Sequence, residues 1–227
     1  MKENKLVIKI RRIGYISVLI TFFYYFFLFL FLFNIFLTDI FLITFDSGFL
    51  FFLIFLIIFL IVSPLLSRTA FLLLIRHNPS FYSVNEKVEL ASAVTACSWL
   101  ADAFLHPISN KIMLQHFPGR DQRQLKKEIN HKATEISNSK VTKLRKILGV
   151  IFLIVYIALF IFSWMESVGL VLFPWLQILS DTQLFLIGIF FLIFIASFAA
   201  RNVLIDYKRL EKIAERISSP SIPDENV

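Results

Sequence analysis

The chain has one cysteine (Cys97) and six glycines, and Asp, Glu, Lys and Arg together make up only 17% of its 227 residues. A single thiol excludes an internal disulfide and any Cys-rich metal centre. The glycines form neither a phosphate-cradling loop nor a Gly-x-x-x-Gly pair, so a nucleotide-binding motif and the common close-packing signature of membrane helices are both missing. No His-Glu-x-x-His and no Gly-x-Ser-x-Gly occurs, which removes the zinc-protease and hydrolase-elbow readings. Ordinary soluble domains carry about 25% charged residues. Here the few charges are gathered into blocks, leaving long stretches with none.

Those stretches hold most of the chain. It is 58% hydrophobic with 28 Phe, and its mean hydropathy is +0.77. One small core cannot hide that much apolar surface, and a lipid solvent accommodates it. The Phe excess reads as codon composition of an AT-rich genome rather than as mechanism. Four apolar runs stand out: Ile13–Leu37, Gly48–Leu66, Ile147–Met165 and Leu184–Val203. About twenty helical residues cover a ~30 Å hydrocarbon core. Backbone amides in lipid must bond internally, so the runs are helices. The expected fold is an all-α integral membrane protein with four transmembrane helices as two hairpins and a helical cytoplasmic insert between spans 2 and 3. Its divisions are a basic N-terminus (1–12), hairpin 1 (13–66), the insert (67–146), hairpin 2 (147–203) and a tail (204–227) whose Ser/Pro-rich end reads as disordered. The first run is too long for a signal core and ends without a small-x-small site, so it is expected to stay as an anchor.

Orientation follows the basic residues. Segment 1–12 holds five basic residues and 76–146 holds twelve, whereas 38–47 and 166–183 hold none. The positive-inside rule then puts both termini and the insert in the cytoplasm, in what reads as a bacterial inner (plasma) membrane. The formal charge of +7 points to the anionic cytoplasmic leaflet rather than to nucleic acid. The residues expected at the membrane interface are Arg11, Arg12, Arg68, Arg76, Lys143, Arg145, Lys146 and Arg201, with Trp164 and Trp175 as outer aromatic anchors. Span 2 has an untidy exit. Either its helix stops near Pro64–Arg68, or it runs on through Ala70–Ile75 while Arg68 snorkels to the surface. A functional intramembrane Arg68 is the sharper alternative.

Within the insert, Asn78-Pro79 reads as a turn, and Ser83 or Asn85 caps a helix opening with Glu86 and Glu89. From Val88 to His106 a broad Ala-rich apolar face carries a narrow polar stripe, so that helix must bury its wide side against the bundle, the bilayer or a partner. Phe117-Pro118-Gly119 breaks the chain. A charged helix then carries the stripe Leu125, Ile129, Ala133 and Ile136, with a weak point at Ser137–Ser139.

No catalytic residue is assigned and no cofactor is expected. The best chemical cluster is Asp102 with His106 on one helix face and His116 beyond, which could hold Zn²⁺. The bland reading, an i,i+4 ion pair near a helix end, is preferred. Polar groups inside the runs are thin (Asn34, Ser163, Ser197), which argues against a transport path. The expected role is a non-enzymatic interaction, assembly, regulatory or immunity-type protein with a protein partner on its insert. A small channel or transporter, built by self-association, is the first alternative. A membrane enzyme at the cytoplasmic interface is the second.

Overall fold

A computed structural model of the chain describes residues 5–36, 45–98, 101–102, 111–139 and 181–218. Among them every regular element is helical: α1 (Lys5–Phe36), α2 (Phe45–His77), a 3-10 turn (Pro79–Phe81), α3 (Val84–Cys97), α4 (Lys111–Leu114), α5 (Gln122–Ser139) and α6 (Asp181–Ser218). The third expected span, Asn34's side chain, Ser163, Trp164, Trp175, Lys143, Arg145, Lys146 and the tail beyond Ser218 lie outside the described residues.

Two helices, over Lys5–Phe31 and Phe49–His77, are long and apolar enough to cross a membrane. Only 22% and 17% of their most apolar stretches are buried inside the protein, unlike the core helix of a soluble domain. Their outward stripes are apolar: Ile16, Leu19 and Phe23 on α1, and Leu50, Ile54, Ile57, Ile61 and Leu65 on α2. The inner faces interlock through rings. Tyr24 stacks on Phe59 at 4.3 Å, Phe27 on Phe55 at 4.6 Å and Phe31 on Phe52 at 5.2 Å between centroids. Residue numbers rise along α1 as they fall along α2, so the two helices are antiparallel. Aromatic pairs of this kind contribute about 0.5–1.5 kcal/mol beyond area burial. The abundant Phe that composition alone assigns to codon usage therefore has a packing role.

α6 runs antiparallel to α1 as well. Arg11 pairs with Glu211, Ser17 with Tyr207, and Leu30 packs on Leu192. Its inward face is a row at three- and four-residue spacing: Leu192, Ala196, Ala200, Tyr207, Leu210, Ala214 and Ile217 are buried, and the partly buried Val203 bridges Ala200 to Tyr207. Opposite them α1 presents small groups at Gly14, Ser17 and Thr21, all buried, and small residues let helix backbones approach closely. The sequence divides hairpin 2, ending at Val203, from the tail 204–227. Instead one 38-residue helix continues across that boundary, because the buried row never changes register.

The larger core lies at the charged ends of these helices. Leu6, Val7 and Ile10 of α1, Phe71 and Leu74 of α2, and Leu210 and Ala214 of α6 close around α3, with Met113 of α4 and Leu125 and Ile129 of α5. α1 accordingly begins at Lys5, eight residues before the apolar run. α2 continues through Pro64 to His77 because Phe71 and Leu74 are needed in this core. α3 starts on a capping box: Ser83 Oγ accepts from Glu86 N, and the Ser83 amide donates to the Glu86 carboxylate. That settles the cap on Ser83 rather than Asn85. The Phe117–Gly119 break ends with Gly119 at φ +83°, a left-handed conformation that glycine adopts without strain. The expected stripe of α5 is inward-facing, with Leu125, Ile129 and Ala133 buried.

Candidate functional site

α3 is buried along its whole second half, polar stripe included: Ser92, Thr95 and Ser98 have almost no exposed surface. Ser92 satisfies its hydroxyl locally by donating to the Val88 carbonyl at 2.7 Å. Ser98 does something different. Its hydroxyl donates to Asp102 Oδ2 at 2.8 Å, one helical turn further on. Both face α2 where that helix leaves its most apolar length, and there they meet Arg68.

Arg68 is 1% exposed and Asp102 3%. Arg68 Nη2 donates to Asp102 Oδ2 at 2.7 Å, while Nη1 donates to Ser67 Oγ at 2.8 Å and Ser98 Oγ at 3.2 Å. The Ser67 hydroxyl lies 2.9 Å from the Pro64 carbonyl as its donor. Each serine thus offers lone pairs to the guanidinium while spending its single proton elsewhere. The 3.0 Å approach of the two hydroxyls follows from both aiming at Nη1. Burying a guanidinium or a carboxylate alone costs several kcal/mol, so a buried charge persists only when paired and hydrogen-bonded. This corrects the snorkelling reading of Arg68: its helix runs on, but the side chain turns inward because Asp102, just beyond α3, supplies a carboxylate there.

A second polar contact lies nearby between α1 and α6. Ser17 Oγ donates to the Tyr207 hydroxyl at 2.9 Å, and Thr21 Oγ1 donates to the Ser17 carbonyl at 2.8 Å. Further out, Arg11 holds Glu211 through Nε at 2.7 Å. Of the other residues expected at an interface, Arg12, Arg76 and Arg201 are exposed.

Two members of the expected metal set, Asp102 and His116, lie among the described residues. Asp102 Oδ2 is already engaged by Arg68 and Ser98. His116 stands edge-on to the Phe71 ring at 5.7 Å. Burial, then Lys87 and Arg76, lower its pKa below the ordinary imidazole value. His106 lies outside the described residues. Among the described residues no group of three or more His, Cys, Asp or Glu is placed to hold a metal ion. His131, expected in solvent, is 76% exposed beside Glu135.

Sequence reasoning missed Ser67, Ser98 and Tyr207 as members of buried polar contacts. A signal did exist: a lone basic residue in an apolar helix and a lone acid on an Ala-rich helix each need a partner, and each had the other. No protein-family model matches the chain, and neither a curated protein nor a solved structure is similar to it.

Proposed function

We propose that this chain is a four-span integral membrane protein that works without catalysis, through a compact cytoplasmic domain that contacts another protein. Assembly, regulatory and immunity-type roles all fit that description. The observation that carries the reading is the position of the core. The apolar lengths of α1 and α2 leave outward stripes for lipid, while the main buried cluster forms at their basic ends together with α3, α4 and α5. The antiparallel register of α1 and α6 supports α6 as a further span, since Leu192 lies beside Leu30 and Glu211 beside Arg11. Lys5 and Ser218 then fall at one end of the pair. Basic residues are concentrated at that end, which favours the cytoplasmic side of a plasma membrane and contact with its anionic leaflet.

On the water-facing side a groove of about 580 Å³ lies between α3, α5 and α6, floored by Leu90, Ala93 and Ile213. Phe81 at its rim is 44% exposed. Crosslinking with mass spectrometry on native membranes tests the reading. A defined partner attached within residues 86–139 supports it. Self-crosslinks among the long helices, with none on the insert, favour a small oligomeric channel or transporter, the reading that buried Ser17, Thr21 and Ser63 would serve. A reporter fused after His116 that proved to be outside the cell would overturn the orientation. An interfacial enzyme stays in play only if alanine at Asp102, His106 and His116 abolishes the cellular phenotype.

A further inference from the structure

We propose that the Arg68–Asp102 pair is a latch between α2 and the chain just past the C-terminal end of α3 that anionic phospholipid headgroups open. The inference rests on the membrane placement proposed above, and its first support is depth. On the outward faces of α1 and α2, apolar residues give way to polar ones at a common level. The change falls between Ile16 and Arg12 on α1 and between Leu65 and Thr69 on α2, whereas α6 already exposes Arg201 one turn before Ile205. The register of α1 with α2 brings the two positions together. Arg68 lies at that level, one helical turn from Leu65 and adjacent to Thr69.

The second support is energetic balance. A buried ion pair gains little over its separated, solvated charges, because desolvation offsets most of the attraction. At the boundary both charges have a solvated alternative within reach. Asp102 needs only water. A guanidinium at a span end extends to the headgroup layer and bonds phosphate oxygens in a bidentate fork. The third support is what else holds α3 at this place. Apart from Val94 and Cys97, the buried apolar side chains of its second half and just beyond it are alanines (Ala91, Ala93, Ala96, Ala101), so the apolar area lost when its last turn lifts is smaller than for a Leu-rich helix. The Ser83–Glu86 box and the Pro79–Phe81 turn keep the other end attached. Closed, Arg68 is bound to Asp102 and Ser98. Open, it is bound to phosphate, and the end of α3 is free to meet solvent or a partner.

Cys97, the only thiol in the chain, is 3% exposed and adjoins Ser98, so it reports the opening. The full chain is placed in nanodiscs of phosphatidylcholine alone or with phosphatidylglycerol, and maleimide labelling of Cys97 is timed. Labelling should be about fivefold faster in the anionic discs, the gain expected of one basic side chain at an anionic surface. The lower surface pH there would slow the thiol, so the sign is diagnostic. Asp102→Asn should label fast in both discs. Arg68→Met with Asp102→Leu should label slowly in both. Equal wild-type rates in the two lipids would overturn the proposal, as would a lipid response retained by the double variant. Acceleration by inorganic phosphate in neutral discs would overturn the assignment to lipid. Failure to enter nanodiscs at all is seen before labelling begins, and it sinks the membrane placement rather than the latch.

Discussion

Gly14 of α1 lies so close to Tyr207 of α6 that a Cβ at Gly14 would sit 2.8 Å from the Tyr207 Cβ. Because the obstructing atom is next to the α6 backbone, rotating the ring does not relieve the clash. The helices themselves must part. The same approach lets Ser17 reach the Tyr207 hydroxyl, so one missing side chain sets both the spacing and the polar contact. Gly14→Val is expected to cost about 1–3 kcal/mol through overpacking, whereas Tyr207→Phe, which removes only a hydroxyl, should cost about 1 kcal/mol. Thermal unfolding in detergent, measured for both variants, checks the order.

The Arg11–Glu211 pair joins the same two helices but should matter far less. Its side chains are 38% and 17% exposed, and ion pairs this open to water are worth about 1 kcal/mol or less and are screened by salt. Glu211→Gln is expected to lower stability slightly at low ionic strength and not at all in about 1 M salt. A loss that persists in high salt would show the contact to be packing rather than charge.

His116 should make the main core sensitive to mild acid. Its folded pKa is lowered by burial and by the positive charges of Lys87 and Arg76. The unfolded chain therefore binds the proton at a higher pH than the folded one does. Stability is complete above the ordinary imidazole value of 6.5, falls as pH drops from there towards the folded value, and is level below it. Tm followed against pH for wild type and His116→Asn should show wild type losing ground to the variant across that window and nowhere above it.

Ser83→Ala removes the oxygen that accepts the Glu86 amide, and is expected to cost about 1 kcal/mol. The Glu86 carboxylate is held below its usual pKa mainly by the Ser83 backbone bond, then by the Ser83 side chain. That contribution is present above the unfolded carboxyl pKa and lost as pH falls through the folded one. Amide hydrogen exchange over residues 84–90 should quicken in Ser83→Ala at neutral pH. In wild type the protection of the same residues, taken relative to the intrinsic exchange rate at each pH, should fall only below the ordinary carboxyl range.

The helices, the cap at Ser83, the turn at Pro79 and the inward stripe of α5 were readable because each is written in adjacent residues at a fixed spacing. The length of α1, α2 and α6 was not. Charge at Lys5, Lys9, Arg68 or Lys208 marks the end of an apolar run, but a helix ends only where its buried row ends, and that row is defined by partners far off in the chain. Arg68 carries the same lesson. Alone it reads as a cation seeking water, and its carboxylate lies 34 residues away on a helix whose polar stripe resembled a solvated face. Gly14 was passed over because the packing motif sought needs two glycines on one helix, whereas here a single glycine makes the close approach, against Tyr207 of α6.

The continuity of the long helices has a mechanical consequence. α1 and α6 each run without a proline from their apolar lengths into the parts that build the main core, so each acts as a stiff lever, whereas α2 carries Pro64 at that junction. The fifteen residues of α6 beyond Val203 reach about 22 Å, and a tilt of about 10° moves their end by about 4 Å. Helices longer than the bilayer is thick adjust to it by tilting. Under the proposed membrane placement such a tilt would fall on the groove between α3, α5 and α6, since α6 forms one of its walls.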